Sequence, residues 1–263
     1  MNKRDMKKLI IIGLTAIIGI GICGCNIKEN SSDDTKKNTE IVLNERQKEI
    51  LEEEGLSTNP EELTYSQKKS IVAIDEMLTA IEKKYNRSFS YAGYIEEGAL
   101  EEEQLIAYPS DGDKEIDSFE VRKVKGNNRT EYEDDYMLVA LRDGFTEYMT
   151  KITSEVFKTE SVKVFSVITE TTLSEMPNDL KMYNGTVGSN NHIYIDSASM
   201  SSKEFQAYVD ELEKVFYENE LYGISQIIFL KENEIENLNE YNYSYYDFSD
   251  SYIEWKEISV QEE

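Results

Sequence analysis

The chain is poor in the groups that most enzymes use. Two cysteines, one histidine, one tryptophan and three prolines stand among 263 residues. With His192 as the single histidine, a zinc site built on two imidazoles is excluded, and any serine triad or histidine acid–base pair would have to rest on that one residue. Glycine-rich phosphate cradles are also missing, because Gly19 and Gly21 lie inside an N-terminal apolar run. Positive charge is scarce: 28 Lys and Arg face 53 Asp and Glu, a net charge of −25. Such a surplus repels phosphate backbones and excludes a nucleic-acid partner, which requires basic stripes. Neither a repeat of fixed period nor a proline-rich linker occurs. What is present is a 39% hydrophobic chain of a length that buries a core in one or two globular domains.

The N-terminus carries an address. Residues 1–8, MNKRDMKK, hold four bases and one acid, and residues 9–24 follow as 16 uncharged, mostly apolar positions. That order is the pattern of a secretory signal peptide. The run is short of the roughly 20 residues a spanning helix needs. Its end, Ile22-Cys23-Gly24-Cys25, resembles the lipobox of bacterial lipoproteins, with Ile22 where leucine is usual and Cys23 where alanine or serine is usual. The resemblance covers the first 25 residues only. It implies that the Cys25 thiol receives a diacylglyceryl group and that a signal peptidase cuts the Gly24–Cys25 bond. Cys23 fits worse, because Ile22 would then sit where a small residue is needed. Two acyl chains hold a membrane better than the marginal grip of one. Loss of residues 1–24 would leave 24 basic and 52 acidic residues, a charge of −28, and no free thiol or disulfide. Residues 26–42 are polar and aperiodic, a tether reaching on the order of 20–25 Å.

Beyond the tether, Asn44 with Gln47 and then Gly55 bracket a short helix. Asn59-Pro60 gives a second start signal and Thr64 with Gln67 a second capping box. Ile71, Ile74, Leu78, Ile81 and Tyr85 recur at helical steps, which predicts a helix over about 65–85 that buries this stripe against its own sheet. Four segments rich in aromatic or branched residues, 88–95, 104–108, 118–124 and 130–141, are separated by turn chemistry at 109–112 and 126–128, the signature of an antiparallel meander. Asp143-Gly144 then breaks into a helix with Phe145, Tyr148, Met149, Ile152 and Val156 on one face. A first lobe closes near residue 160. A helix followed by a meander is similar to the cystatin-like arrangement of several small extracytoplasmic lipoproteins, an analogy of architecture only.

In the second half, 162–168 reads as a strand, 183–191 as a loop and 192–196 as a strand. A capping box at Ser201 and Glu204 opens a helix faced by Phe205, Tyr208, Val209, Leu212, Val215 and Phe216, and 224–230 is a buried strand. This strand–helix–strand unit permits a parallel crossover without requiring one. The expected fold class is α+β, mainly antiparallel sheet with packed helices. Its expected division is a signal peptide (1–24), a lipidated N-terminus, tether and short helix (25–57), a first lobe (58–160) and a second lobe (161–263). Two lobes on one continuous sheet remain open beside two independent domains.

No pattern of residues makes a catalytic set. His192 lies in His-Ile-Tyr-Ile-Asp, sharing a strand face with Tyr194 and Asp196 while Ile193 and Ile195 take the other, and no Gly-x-Ser-x-Gly elbow accompanies it. It reads as a structural histidine. Acidic runs at 52–54, 96–97, 101–103 and 131–135 read as solvated faces, since linear clusters do not report the carboxylate spacing a glycosidase needs. Asp111 to Asp117 offers oxygens for a weakly held calcium but lacks EF-hand spacing, and a structural turn is the alternative. Tyr241, Tyr243 and Tyr245 alternate as on one strand face, with Tyr246, Phe248, Tyr252 and Trp255 behind them. Aromatics with polar tips suit either cross-strand packing or recognition of proteins and glycans.

The sequence thus points to a non-enzymatic binding or interaction protein, anchored to membrane lipid through Cys25 on the outer face of a bacterial cytoplasmic membrane. Its expected partner is an extracytoplasmic protein or envelope ligand, with no cofactor, metal or catalytic residue assigned. The alternatives are a carboxylate-dependent hydrolase of envelope glycans and a solute- or cation-binding lipoprotein.

Overall fold

The computed structural model describes residues 41–98, 102–125, 130–246 and 250–261. The fold is α+β, with two separate four-stranded sheets in two compact units that divide between Asp134 and Asp135.

In the first unit, the Asn44 side chain accepts from the Gln47 N–H at 2.9 Å while the Gln47 side chain accepts from the Asn44 N–H at 3.0 Å. This reciprocal box starts α1 (Glu45–Glu53), and Gly55, at φ +68°, follows its end. A single 3-10 turn occupies Pro60–Glu62. Thr64 and Gln67 repeat the box at the start of α2 (Tyr65–Tyr85). Ile71, Ile74, Met77, Leu78 and Ile81 are buried along α2. At about 1.5–3 kcal/mol for each buried aliphatic side chain, this stripe outweighs the ~1 kcal/mol of the cap. The helix packs on its own sheet, as its periodicity predicts. That sheet is the antiparallel meander β1 (Phe89–Ile95), β2 (Gln104–Pro109), β3 (Phe119–Lys125) and β4 (Thr130–Asp134), in that order.

The second unit begins earlier than the sequence suggests. Residues 130–141 do not form one strand: β4 ends at Asp134 and α3 (Tyr136–Phe157) starts directly after it. Burial of Leu141, Phe145, Tyr148, Met149 and Ile152 on one helical face overrides the strand preference of 136–141. Gly144 does not break the helix. The Tyr183 hydroxyl sits where a Cβ on residue 144 would project, so the glycine admits the buried ring. Because α3 packs on β5 and α4, it belongs to the second unit, and the expected boundary near 160 moves to 134.

Strand β5 (Val162–Thr171) pairs antiparallel with β6 (Val187–Asp196), which absorbs most of the expected 183–191 loop. The Ser201–Glu204 box opens α4 (Ser202–Glu218). This helix returns the chain to β7 (Tyr222–Leu230), which lies parallel to β6. After a 3-10 turn at Ile235–Asn237 and the one-turn α5 (Tyr243–Tyr246), β8 (Tyr252–Val260) closes the order β5-β6-β7-β8. At Gly223, φ is +117° and a Cβ would strike the Ser189 carbonyl, so the close β6–β7 approach there requires glycine. Helices α3 and α4 cover one sheet face, where Phe205 stacks on Phe229 at 4.6 Å.

Candidate functional site

The other face of the second sheet carries Lys163, Phe165, His192, Tyr194, Ile228 and Trp255, brought into rows by the registers Lys163↔Tyr194↔Ile228↔Trp255 and Phe165↔His192. Part of this face is covered by the chain between β7 and β8. Ile235 and Leu238 are buried on Tyr194, Ile228 and Leu230, forming a second small core.

Three polar contacts hold this covering segment. The Lys163 ammonium donates to the Leu238 carbonyl at 2.9 Å. The Tyr194 hydroxyl donates to the Tyr243 carbonyl at 2.7 Å. The Asp196 carboxylate accepts from the Asn233 N–H at 3.0 Å and from the Ala198 N–H at 2.8 Å, tying the segment to the end of β6. Locally, Asn239 accepts from the Tyr241 N–H, and Asn242 accepts from the Asn239 N–H while donating to the Asn237 carbonyl. These asparagine bonds replace the ladder a strand would have supplied.

The tyrosines therefore do not alternate on a strand. Tyr241 lies in a turn and Tyr243–Tyr246 form α5, which corrects the expected extended face. Their roles diverge as a result. Tyr243 stacks on Phe165 at 4.6 Å with rings 4° from parallel, and His192 meets it edge-on at 5.1 Å. Tyr246 and Tyr252 pack on the small core. Tyr241, Tyr245 and Trp255 remain 58%, 65% and 51% exposed. Phe248 lies outside the described residues.

Between this segment and β5 runs a groove of about 430 Å³, lined by Thr150 of α3, Val162 to Phe165 of β5, and Leu238 to Tyr241. Its walls are mostly apolar. Two charged residues line it: Lys163, engaged by the Leu238 carbonyl, and Glu240, whose carboxylate is exposed at the rim. The sequence did not disclose this groove, because its walls lie some 75 positions apart in the chain.

Other candidates resolve differently. His192 is half-buried against Tyr243, on the face shared with Tyr194 as expected. In the 111–117 loop, Asp113 accepts from the Glu115 and Ile116 N–H groups and Asp117 from the Asp113 N–H, so backbone donors take oxygens that a cation would use. Among the described residues, no group of three or more His, Cys, Asp or Glu side chains could hold a metal ion. Among the described residues of the acidic runs, two side chains are buried: Asp134, which accepts from Lys84 and Tyr85, and Glu103. Glu103 accepts from Tyr94 and pairs with Lys123 at 2.8 Å. Burial alone would raise its carboxyl, but the hydrogen bonds from Lys123 and Tyr94 hold it below the usual glutamate value. This cluster ties β1, through Tyr94, and β3, through Lys123, to the residue that precedes β2. Cys25 lies outside the described residues, and among those described no helix is long and apolar enough to cross a membrane.

No family model and no curated protein matches the chain. Among solved structures it is similar to a DUF5037 family protein from Ruminococcus gnavus, at 11% identity over 72% of this chain and 92% of the other, with a TM-score of 0.37. It is also similar to a provisionally described redox protein from Lactobacillus casei, at 12% identity over 58% of this chain and 99% of the other, with a TM-score of 0.22. Neither likeness is strong enough to transfer a site.

Proposed function

We propose that this chain is a lipid-anchored extracytoplasmic protein that binds a ligand, without chemistry, through the groove beside β5. The observation that carries the binding role is the groove itself. Its size falls in the range of ligand sites, its walls are mostly apolar, and exposed Tyr241 and Glu240 line it. One carboxylate lines it, Glu240, whereas hydrolysis of a glycoside uses two convergent acids, so binding is the better-supported use. The anchor rests on the basic flank, the apolar run and the Ile22-Cys23-Gly24-Cys25 sequence.

The anchor is tested by feeding cells labelled palmitate and comparing the chain with its Cys25→Ala variant. Loss of label, with accumulation of a precursor that keeps residues 1–24, is the expected result. A variant labelled as strongly as the parent contradicts it.

A further inference from the structure

The lining of the groove carries a geometric signature that bears on the class of ligand. Val162, Lys163, Val164 and Phe165 all line it, although successive strand side chains point to opposite faces. A groove touched by four consecutive strand residues therefore runs along the backbone edge of the strand. β5 is an edge of its sheet. The Asp196 N–H donates to the Ser161 carbonyl, and the register continues as Val162↔Ile195 and Lys163↔Tyr194. By antiparallel alternation, Lys163 and Phe165 exchange backbone bonds with β6, and Val162, Val164 and Ser166 turn their N–H and C=O groups outward.

Exposed edges are ordinarily guarded by charge. The opposite edge, β8, follows that rule with Glu254, Lys256 and Glu257. From Val162 to Ile168, β5 has one charged residue, Lys163, and its ammonium is turned to the Leu238 carbonyl. The edge along the groove is thus a template for strand addition, flanked on one side by the Leu238–Tyr241 wall.

Charge selects the occupant. From residue 232 to 246 the covering segment holds Glu232, Glu234, Glu236 and Glu240 and no basic residue, on a chain of net charge −25. Lys231 just before it donates to the Asp250 carbonyl. An anionic peptide, an acidic glycan or a second copy of this chain would bring like charge to that rim. A basic side chain can lay its methylene stem on Tyr241 and its cation beside Glu240.

We propose that the groove takes an extended, lysine- or arginine-bearing peptide segment of a partner protein, added along β5 as a fifth strand. This rests on the binding role given above to the same groove. Main-chain bonds to Val162, Val164 and Ser166 supply the affinity, and the acidic rim supplies the preference for basic sequence.

The test uses the full chain purified in detergent and three synthetic probes: a short peptide of alternating lysine and valine, its glutamate–valine counterpart, and the lysine peptide N-methylated at alternate amides. The lysine peptide should bind at least roughly tenfold more tightly than the glutamate peptide, and Glu240→Lys should weaken it by roughly tenfold, given the leverage of rim charges. Hydrogen exchange at the Val162, Val164 and Ser166 amides should slow when it binds, and N-methylation should abolish binding. Equal binding of the two charge types, unchanged exchange at Val164, or no binding of any probe overturns the proposal. Crosslinking in cells from position 241 separates the two levels: a partner captured there while every probe fails keeps the groove as a binding site and removes the peptide, whereas no capture removes the binding role itself.

Discussion

Glu103 illustrates how one side chain ties local chemistry to stability. It is 4% exposed, accepts a hydrogen bond from the Tyr94 hydroxyl and pairs with Lys123, and these partners hold its carboxyl below the usual value of 4.5. A group whose folded pKa is depressed adds stability above its unfolded value and loses it as pH falls through the folded one. The first unit should therefore lose stability on acidification below about 4.5, the unfolded glutamate value, and Glu103→Gln should flatten that loss. Lys123→Met should cost about 1–3 kcal/mol at neutral pH, toward the low end because the ammonium is a third exposed and screened. Urea midpoints of the three proteins across pH 3–7 measure both effects. Parallel curves would mean that the pair contributes nothing specific. In the same unit, burial pushes the Tyr85 hydroxyl up to about 12, while it donates to Asp134 at 2.7 Å.

At the scale of elements, the covering segment depends on few anchors, and Tyr243 is the central one. Its ring stacks on Phe165 and its carbonyl receives the Tyr194 hydroxyl. Tyr243→Ser keeps the carbonyl and removes the ring, so the segment should open locally while the sheet persists. Hydrogen exchange should speed up across 235–246 with little change in β6 and β7. Equal acceleration in all three would show that the segment is part of the main cooperative core. The same elements show what a sequence discloses. Three capping boxes and the α2 stripe were legible because they are contained within a few turns of chain. The start of α3 was not, since 136–141 suit a strand and only contacts with β5 and α4 decide the matter. Tyr241, Tyr243 and Tyr245 have the period of a strand by coincidence. Asn239 and Asn242, which bind their own backbone, were the signal that a turn lay there. The groove was invisible because its two walls meet only after the sheet has formed.

For the whole molecule, the two units divide the labour differently. The first encloses its charged cluster within a helix-covered meander. The second leaves part of a sheet edge beside an acidic, tyrosine-bearing segment, and the groove proposed as the ligand site lies between them. The net charge of −25, which becomes −28 if residues 1–24 are removed as proposed above, disfavours contact with anionic headgroups and favours basic partners. Whether the protein meets its ligand in this groove is decided by photo-crosslinking in intact cells. A benzophenone amino acid is placed at Tyr241, at the groove rim, and in parallel at Tyr217, equally exposed on α4. One discrete adduct should form from position 241, be lost when Glu240→Lys is added, and be missing from position 217. No adduct from position 241, or the same adducts from both positions, would contradict a ligand site in the groove.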